Sequence, residues 1–313
     1  MSILADDMTG IYSPSHDFPE ELKSSVIAIG NFDGVHKGHC ALLKKAREIA
    51  DKQNCAAGVL TFEPHPRSVF QAPSEPFRIT PLNVKRDRIK HETIDFLYEL
   101  DFTRKTAQSS AQDFISNVLI DTLGTFHVVI GYDFHFGKGR EGNAETLKQA
   151  GLEVSTISPV QNENGQNYSA STIRSYLRRG MIDEANDMLG WKWHIEGEVI
   201  HGDKRGRELG YPTANILLAD TLHPSFGIYA TLVQIEGDDK WLPAATNIGI
   251  RPMFETPKAL VEAHLLDFEG DLYGKTLKVK PVQKIRDEAR FDSLDDLVRQ
   301  MDMDCRKARE LLA

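Results

Sequence analysis

Two histidines three residues apart, His36 and His39, stand in the run Gly30-Asn31-Phe32-Asp33-Gly34-Val35-His36-Lys37-Gly38-His39. Imidazoles donate to phosphate oxygens, and glycines let a backbone approach an anion closely. Further along stand a histidine between two prolines, Glu63-Pro64-His65-Pro66-Arg67, and a polar and aromatic run, Gly131-Tyr132-Asp133-Phe134-His135-Phe136-Gly137. Ser169-Ala170-Ser171-Thr172-Ile173-Arg174 offers hydroxyls and a cation. Thr213-x-Asn215 puts two oxygen donors on one side of an extended segment, which suits a hard cation. In Val261-Glu262-Ala263-His264-Leu265, alternation sets Glu262 and His264 on one face. Each pattern has a plainer reading: turn glycines with surface histidines, a helix cap with a surface arginine, a turn after Pro212, a carboxylate facing water.

The elements around these residues separate the readings. Val26-Ile27-Ala28-Ile29 predicts a buried strand ahead of the first run. Residues 41–50 predict an amphipathic helix after it, with Leu42, Leu43, Ala46, Ile49 and Ala50 on one side. The histidines therefore occupy a strand-to-helix turn, where unpaired N–H groups and the helix dipole favour an anion. Strands at 57–62, 94–100, 127–130 and 152–157 alternate with helices at 82–90, 110–119, 143–150 and 171–177. That alternation predicts a parallel sheet covered on both faces, with ligands at the carboxyl ends of its strands. The opening run, the Pro-His-Pro loop and residues 133–140 then share one rim.

After about Gly190 the pattern changes to short alternating runs at 195–200, 229–235, 242–248, 260–266 and 277–282, separated by glycine-containing turns. This predicts a small antiparallel barrel or sandwich. A closing helix starts near Ser293, with Leu294, Leu297, Val298, Met301, Cys305, Ala308 and Leu312 at three- and four-residue spacing. The expected division is a lead-in over residues 1–22, loosely packed because it lacks periodicity, an α/β domain over 23–185 and a barrel domain over 186–313.

Composition limits the function classes. The chain has 313 residues, 41% hydrophobic and 27% charged, which fits two globular domains. No apolar run approaches a membrane span, and the acidic start lacks the pattern of a secretory signal. A net charge of −9 argues against a general nucleic-acid binder. Cys40, Cys55 and Cys305 show no C-x-x-C spacing and are expected to be free thiols in the cytoplasm. Oligomeric state stays open, a homo-oligomer included.

Two nucleotide-like patterns are decoys. Gly137-Lys138-Gly139-Arg140-Glu141-Gly142 has the dinucleotide spacing, but six residues separate it from the preceding strand. Gly197–Gly202 has P-loop spacing, yet Asp203 stands where a P-loop needs lysine.

Taken in order, these motifs resemble the bifunctional riboflavin kinase/FMN adenylyltransferases, the prokaryotic type of FAD synthetase. Besides the runs above, the resemblance rests on His201-Gly202 and Gly206-Arg207-x-Leu209-Gly210-Tyr211-Pro212-Thr213-Ala214-Asn215. It continues through Gly227-Ile228-Tyr229-Ala230, Asn247-Ile248-Gly249-Ile250-Arg251-Pro252 and Asp267-Phe268-x-Gly270-Asp271-Leu272-Tyr273-Gly274. The resemblance implies a Rossmann-like nucleotidyltransferase domain followed by a kinase barrel. It implies phosphorylation of riboflavin by ATP to FMN, then adenylylation of FMN by ATP to FAD and pyrophosphate, with Mg²⁺.

Residue by residue it implies His36 and His39 as catalytic groups on ATP phosphates, with Gly30, Phe32, Asp33 and Gly38 around them. Ser171 and Arg174 would hold the leaving pyrophosphate, and Pro64, His65, Asp133, Phe134, Phe136 and Arg251 would contact flavin. In the kinase, Gly202, Gly206 and Asn215 would meet ATP, Thr213 and Asn215 the Mg²⁺, and Glu262 would act as general base. Two positions depart from the family pattern: Ala170 replaces a serine, and His135 stands where arginine is common. Two other readings are weighed: an adenylyltransferase whose barrel only binds flavin, and a regulatory flavin- or nucleotide-binding protein. Class I aminoacyl-tRNA synthetases share the H-x-G-H logic, but their lysine-rich second motif is absent here.

Overall fold

The computed structural model describes residues 10–70, 76–202, 209–218, 220–251 and 258–313, with backbone alone for Arg251 and Lys258. The described residues fall into two compact units, one within Met1–Ser74 and Thr80–Ser169, the other within Glu75–Ile79 and Ala170–Ala313.

The first unit carries strands β1 (Gly10–Tyr12), β2 (Val26–Ile29), β3 (Ala57–Glu63), β4 (Phe96–Asp101), β5 (His127–Gly131) and β6 (Glu153–Ile157). They form one sheet in the order β1-β4-β3-β2-β5-β6, and every pairing is parallel. Both faces are covered, which is why β2 is apolar at every position. Val26 and Ala28 pack with Leu43, Ala46 and Ala50 of helix α1 (Lys37–Gln53). Ile27 and Ile29 face the other way, toward Leu60, Phe96, Phe114 and Ile115. Strand order reverses at β2, with β3 on one side and β5 on the other. The loops leaving β2 and β5 therefore flank the crevice where doubly wound sheets bind ligands.

The lead-in differs from the expectation of loose packing. Its described part adds β1 to the sheet edge beside β4, and Phe18 is buried edge-on against Phe96 and Tyr98. A three-residue strand has too few positions for alternation to be read, and β4 supplies the pairing that stabilises it. Around the sheet lie α2 (Pro66–Phe70), α3 (Leu82–Lys90), α4 (Ala111–Asp113) continuing as π-helical turns through Phe114–Thr122, and α5 (Ala144–Gln149).

The second unit begins with α6 (Ala170–Arg178) and α7 (Ile182–Leu189). Strands β7 (Ile195–Ile200), β8 (Ala214–Leu217), β9 (Gly227–Ile235), β10 (Trp241–Arg251), β11 (Lys258–Leu265) and β12 (Thr276–Arg286) close a barrel in the order β10-β11-β8-β7-β12-β9. All its pairings are antiparallel, so the open choice between barrel and sandwich resolves to a barrel. Closure leaves no unpaired sheet edge. Helix α8 (Leu294–Leu312) starts at Ser293, whose hydroxyl accepts from the Asp296 N–H at 3.1 Å. It buries Cys305 and Ala308 against Ala230, Ala245 and Leu266. Arg286 of β12 anchors it further by a two-pronged bond to Asp304 at 2.9 and 2.6 Å.

Candidate functional sites

The turn between β2 and α1 is built by reciprocal histidine caps. The Nδ1 of His36, the N-cap residue, accepts from the backbone N–H of His39 at 3.2 Å. The Nδ1 of His39 accepts from the N–H of His36 at 3.4 Å. The rings stack 3.7 Å apart with 17° between their planes. An Nδ1 that accepts has its lone pair engaged, so each neutral ring carries its proton on Nε2. The caps thus fix two parallel imidazoles as Nε2–H donors at a helix N-terminus. Such a cap is worth about 1 kcal/mol to the helix.

The backbone of this turn is unusual. Phe32, Gly34 and Val35 have φ of 50°, 88° and 38°. A β-branched residue in the left-handed region costs on the order of 1–3 kcal/mol and persists only where its surroundings enforce it. Asp33 provides that enforcement from within. Its carboxylate, 3% exposed, accepts from the N–H of Thr80 at 3.1 Å and from the Thr80 hydroxyl at 3.3 Å, while Thr80 Oγ1 accepts from the Gly34 N–H at 3.0 Å. Phe32 is fully buried, its ring 5.2 Å from that of His39. Asp33 and Phe32 thus shape the turn from behind. At Gly38 a Cβ would lie 3.0 Å from the His36 ring and 3.3 Å from the carbonyl of Tyr168, so a side chain there presses on the imidazole.

The neighbouring loops also leave the carboxyl ends of strands. After β3 comes the Glu63–Pro64 peptide, which is cis, and then His65, whose Nδ1 accepts from the Arg67 N–H at 3.1 Å. Pro64 is exposed and His65 half-buried. After β5, Asp133 and His135 are exposed, and His135 Nδ1 donates to the carbonyl of Asp133 at 3.0 Å. Phe134 is half-buried and stacks on Phe136 at 5.6 Å. Phe136 itself belongs to the sheet core, 5.3 Å from Phe114. Phe134 offers an apolar surface at the rim, and Phe136 supports it. The Gly137–Gly142 segment contains one short helical turn (Lys138–Arg140), with no strand running directly into it.

Ser171 and Arg174 belong to α6, in the second unit. Ser171 is exposed in the first turn. Arg174 Nε donates to the carbonyl of Phe77 at 2.8 Å, and its guanidinium lies 5.5 Å from the centre of the Phe77 ring.

In the barrel, register brings together residues that are distant in sequence. Asn215 of β8 pairs with Glu262 of β11, and Glu262 pairs with Asn247 of β10. The three form one row across adjacent strands. The Nδ2 of Asn247 donates to Glu262 Oε2 at 2.9 Å, which fixes the carboxylate's orientation. Asn247 stands in a run quoted above, yet sequence reasoning assigned it no role, because only register puts it beside Glu262. Gly202 lies against Asn215: a Cβ there would be 2.6 Å from Asn215 Nδ2. The carbonyl of Thr213 accepts from that Nδ2 at 3.3 Å. Pro212 is held by His264, whose Nδ1 donates to its carbonyl at 2.8 Å. A cleft in the same unit is lined by Thr213, Ala214, Phe268, Asp271, Leu272 and Tyr273 among others, and by none of the three residues of the row. The Tyr273 ring lies 4.0 Å from that of His201. Gly206 lies outside the described residues, and Arg251 is described only as the backbone partner of Lys258 at the end of β10.

Burial, reinforced by Glu92, pushes the Cys40 thiol up to about 12, and burial pushes Cys305 up to about 11. Among the described residues no group of three or more His, Cys, Asp or Glu side chains is placed to hold a metal, and no helix is long and apolar enough to cross a membrane.

Comparison with known proteins covers both units. Residues 18–172 match the family model described as FAD synthetase, and residues 189–312 match the one described as riboflavin kinase. The bifunctional riboflavin kinase/FMN adenylyltransferase of Escherichia coli K12 is 40% identical over 288 residues, covering 91% of this chain and 92% of that protein. The Bacillus subtilis protein of the same name is 36% identical over 307 residues, covering 95% and 96%. A solved structure described as a macrolide-efflux protein from Streptococcus pneumoniae superposes with a TM-score of 0.81 at 34% identity, covering 92% of this chain and 94% of that one.

Proposed function

The chain belongs to the bifunctional riboflavin kinase/FMN adenylyltransferase family, and from that premise we propose that the β2–α1 turn performs adenylyl transfer and the Asn215–Glu262–Asn247 row performs riboflavin phosphorylation. The family's two reactions make FMN from riboflavin and ATP, then FAD from FMN and a second ATP. In this reading residues 23–185 serve the second reaction and residues 186–313 the first.

At the turn, a phosphate oxygen of FMN attacks the α-phosphorus of ATP and pyrophosphate leaves. The nucleophile is already ionised at neutral pH, so the protein supplies position and positive potential in place of a base. The Nε2–H groups of His36 and His39 stabilise charge on the phosphate oxygens, and Gly30 and Gly38 give the chain room for close approach. Ser171 and Arg174 hold pyrophosphate. Pro64, His65, Asp133 and Phe134 contact the flavin nucleotide, with Phe136 behind. Asp33 and Phe32 act through the turn they hold.

In the barrel, the 5′-hydroxyl of riboflavin must lose a proton as it attacks the γ-phosphorus of ATP and ADP leaves. Glu262, oriented by Asn247, accepts that proton. The Thr213 hydroxyl and Asn215 amide oxygen suit a hard cation such as Mg²⁺, whose remaining positions phosphate and water would fill. Gly202 keeps the space beside Asn215 clear for that cradle. Bound there, Mg²⁺ would neutralise charge on the β- and γ-phosphates. Gly206 and Arg251 keep their expected roles at ATP and flavin. The substrates are small molecules, and a cytoplasmic location with no nucleic-acid or membrane partner fits the acidic composition.

The observation that supports the reading is the pair of reciprocal caps, which leave both neutral imidazoles with their proton on Nε2. Incubation with riboflavin, ATP and Mg²⁺, followed by chromatography of the flavins, tests it: FMN accumulates first and FAD follows. If neither product forms at any Mg²⁺ concentration or flavin redox state, the assignment of the two sites is wrong.

A further inference from the structure

Lys85 of α3 is only 2% exposed, although it carries a charge. Its ammonium donates to Glu63 Oε2 at 3.0 Å and to the Thr61 hydroxyl at 3.3 Å. Thr61 in turn donates to the carbonyl of Asn31 at 3.2 Å. Thr61 and Glu63 stand two residues apart on β3 and therefore share one face. Asn31 lies inside the phosphate-binding turn, and Glu63 is the last residue before the Pro-His-Pro loop. One ammonium thus reaches both loops at the carboxyl edge of the sheet.

We propose that Lys85 is a positioning residue for adenylyl transfer, tying the turn that holds ATP to the loop that holds the flavin nucleotide. The proposal rests on the assignment of the β2–α1 turn as the adenylyl site. Stability alone is a poor reason for this arrangement. Removing two charges from water costs several kcal/mol, and apolar side chains of similar volume often replace a buried pair with no loss of stability. What an apolar pair cannot do is hold two loops in register through directed bonds. Helix α3 is well suited to transmit that register. The same helix is preceded by Thr80, which holds Asp33 and Gly34 of the turn, and its Arg86 grips Glu99 of β4 by two bonds at 2.8 and 2.6 Å. The helix is thus fixed to the sheet, and Lys85 sets the two loops against it.

The test compares K85M/E63M, T61V and K85R with the unmodified full-length enzyme, each assayed for both half-reactions and for thermal unfolding. The expected result for K85M/E63M is unchanged unfolding, an unchanged rate of FMN formation from riboflavin, and a kcat for FAD formation from FMN lowered on the order of tenfold to a hundredfold, the scale of a misplacement near 1 Å. T61V, which keeps both charges and removes only the hydroxyl relay, is expected to lower the same kcat about tenfold, and K85R to restore part of it. FAD formation within twofold of the unmodified enzyme in a folded K85M/E63M protein overturns the proposal. Should that variant not fold, an unchanged kcat in T61V overturns it. H39A separates the two levels: if H39A still makes FAD, the assignment of the turn fails; if H39A does not and the Lys85 variants do, only the role of Lys85 fails.

Discussion

In the proposed reading, the β2–α1 turn and the barrel row handle the same co-substrate with different equipment. The turn offers glycines and two imidazoles locked as donors, its His36 and His39 N–H groups being taken by the reciprocal caps, and its buried carboxylate, Asp33, bonds Thr80. The barrel row presents a carboxylate, Glu262, held in place by Asn247. The nucleophiles explain the contrast. A phosphate monoester is ionised before it attacks, and a second carboxylate near it would only repel. A primary alcohol must be deprotonated, and a barrel strand is a stiff place to hold a base. On that proposal, protein groups in each half match the charge of the incoming oxygen.

The contrast is broken most severely by removing the base. E262Q should lower FMN formation from riboflavin by on the order of 10²–10⁴, the range for general-base catalysis, and leave FAD formation from supplied FMN unchanged; chromatographic rates of each half-reaction check this. H39A should do the reverse, lowering FAD formation by on the order of 10²–10³, as loss of a preorganised donor does. It also removes one of the reciprocal caps, so the assay is normalised to folded protein by circular dichroism.

Smaller changes sharpen the comparison. N247A removes one bond that orients Glu262 and is expected to reduce FMN formation about tenfold, measured as kcat at saturating riboflavin. G38A sets a methyl group 3.0 Å from the His36 ring and should lower FAD formation alone by a similar factor. The smallest effect concerns stability. Burial lowers the pKa of His127, opposed by Glu153 and assisted by Lys45. Its other ring nitrogen lies 2.9 Å from the Ser155 hydroxyl. With the folded value below the unfolded one, the unfolded chain takes up the proton first as pH falls. Stability contributed by neutral His127 is therefore present above the ordinary histidine value and lost as pH drops from there to the folded value. Thermal unfolding of the α/β unit should shift downward over that window, and H127Q should flatten the dependence.

How much of this was legible in the sequence depended on the range of the interaction. The histidine turn could be read because its strand, glycines and helix are contiguous, and three-residue spacing at a helix start sets both rings on the cap. The alternation of β2 through β6 carried the parallel sheet for the same reason. Strand β1 escaped notice because three residues make no period, and β8 because Thr213-x-Asn215 reads as a motif before it reads as a strand. Asn247 and Lys85 were invisible for another reason. Neither differs in type from a surface residue, and each gains its role from partners 15 to 24 residues away that only cross-strand register or a packed helix brings near. Asp33 and Phe136, which their motifs mark as ligand contacts, are both buried, the first bonded to Thr80 and the second packed in the core.

The central claim, two sites with separate chemistry in one chain, is tested most directly by mixing E262Q with H39A and supplying riboflavin, ATP and Mg²⁺. H39A alone should stop at FMN, E262Q alone should leave riboflavin largely unconverted, and the mixture should make FAD. Loss of both half-reactions in either folded variant would contradict it.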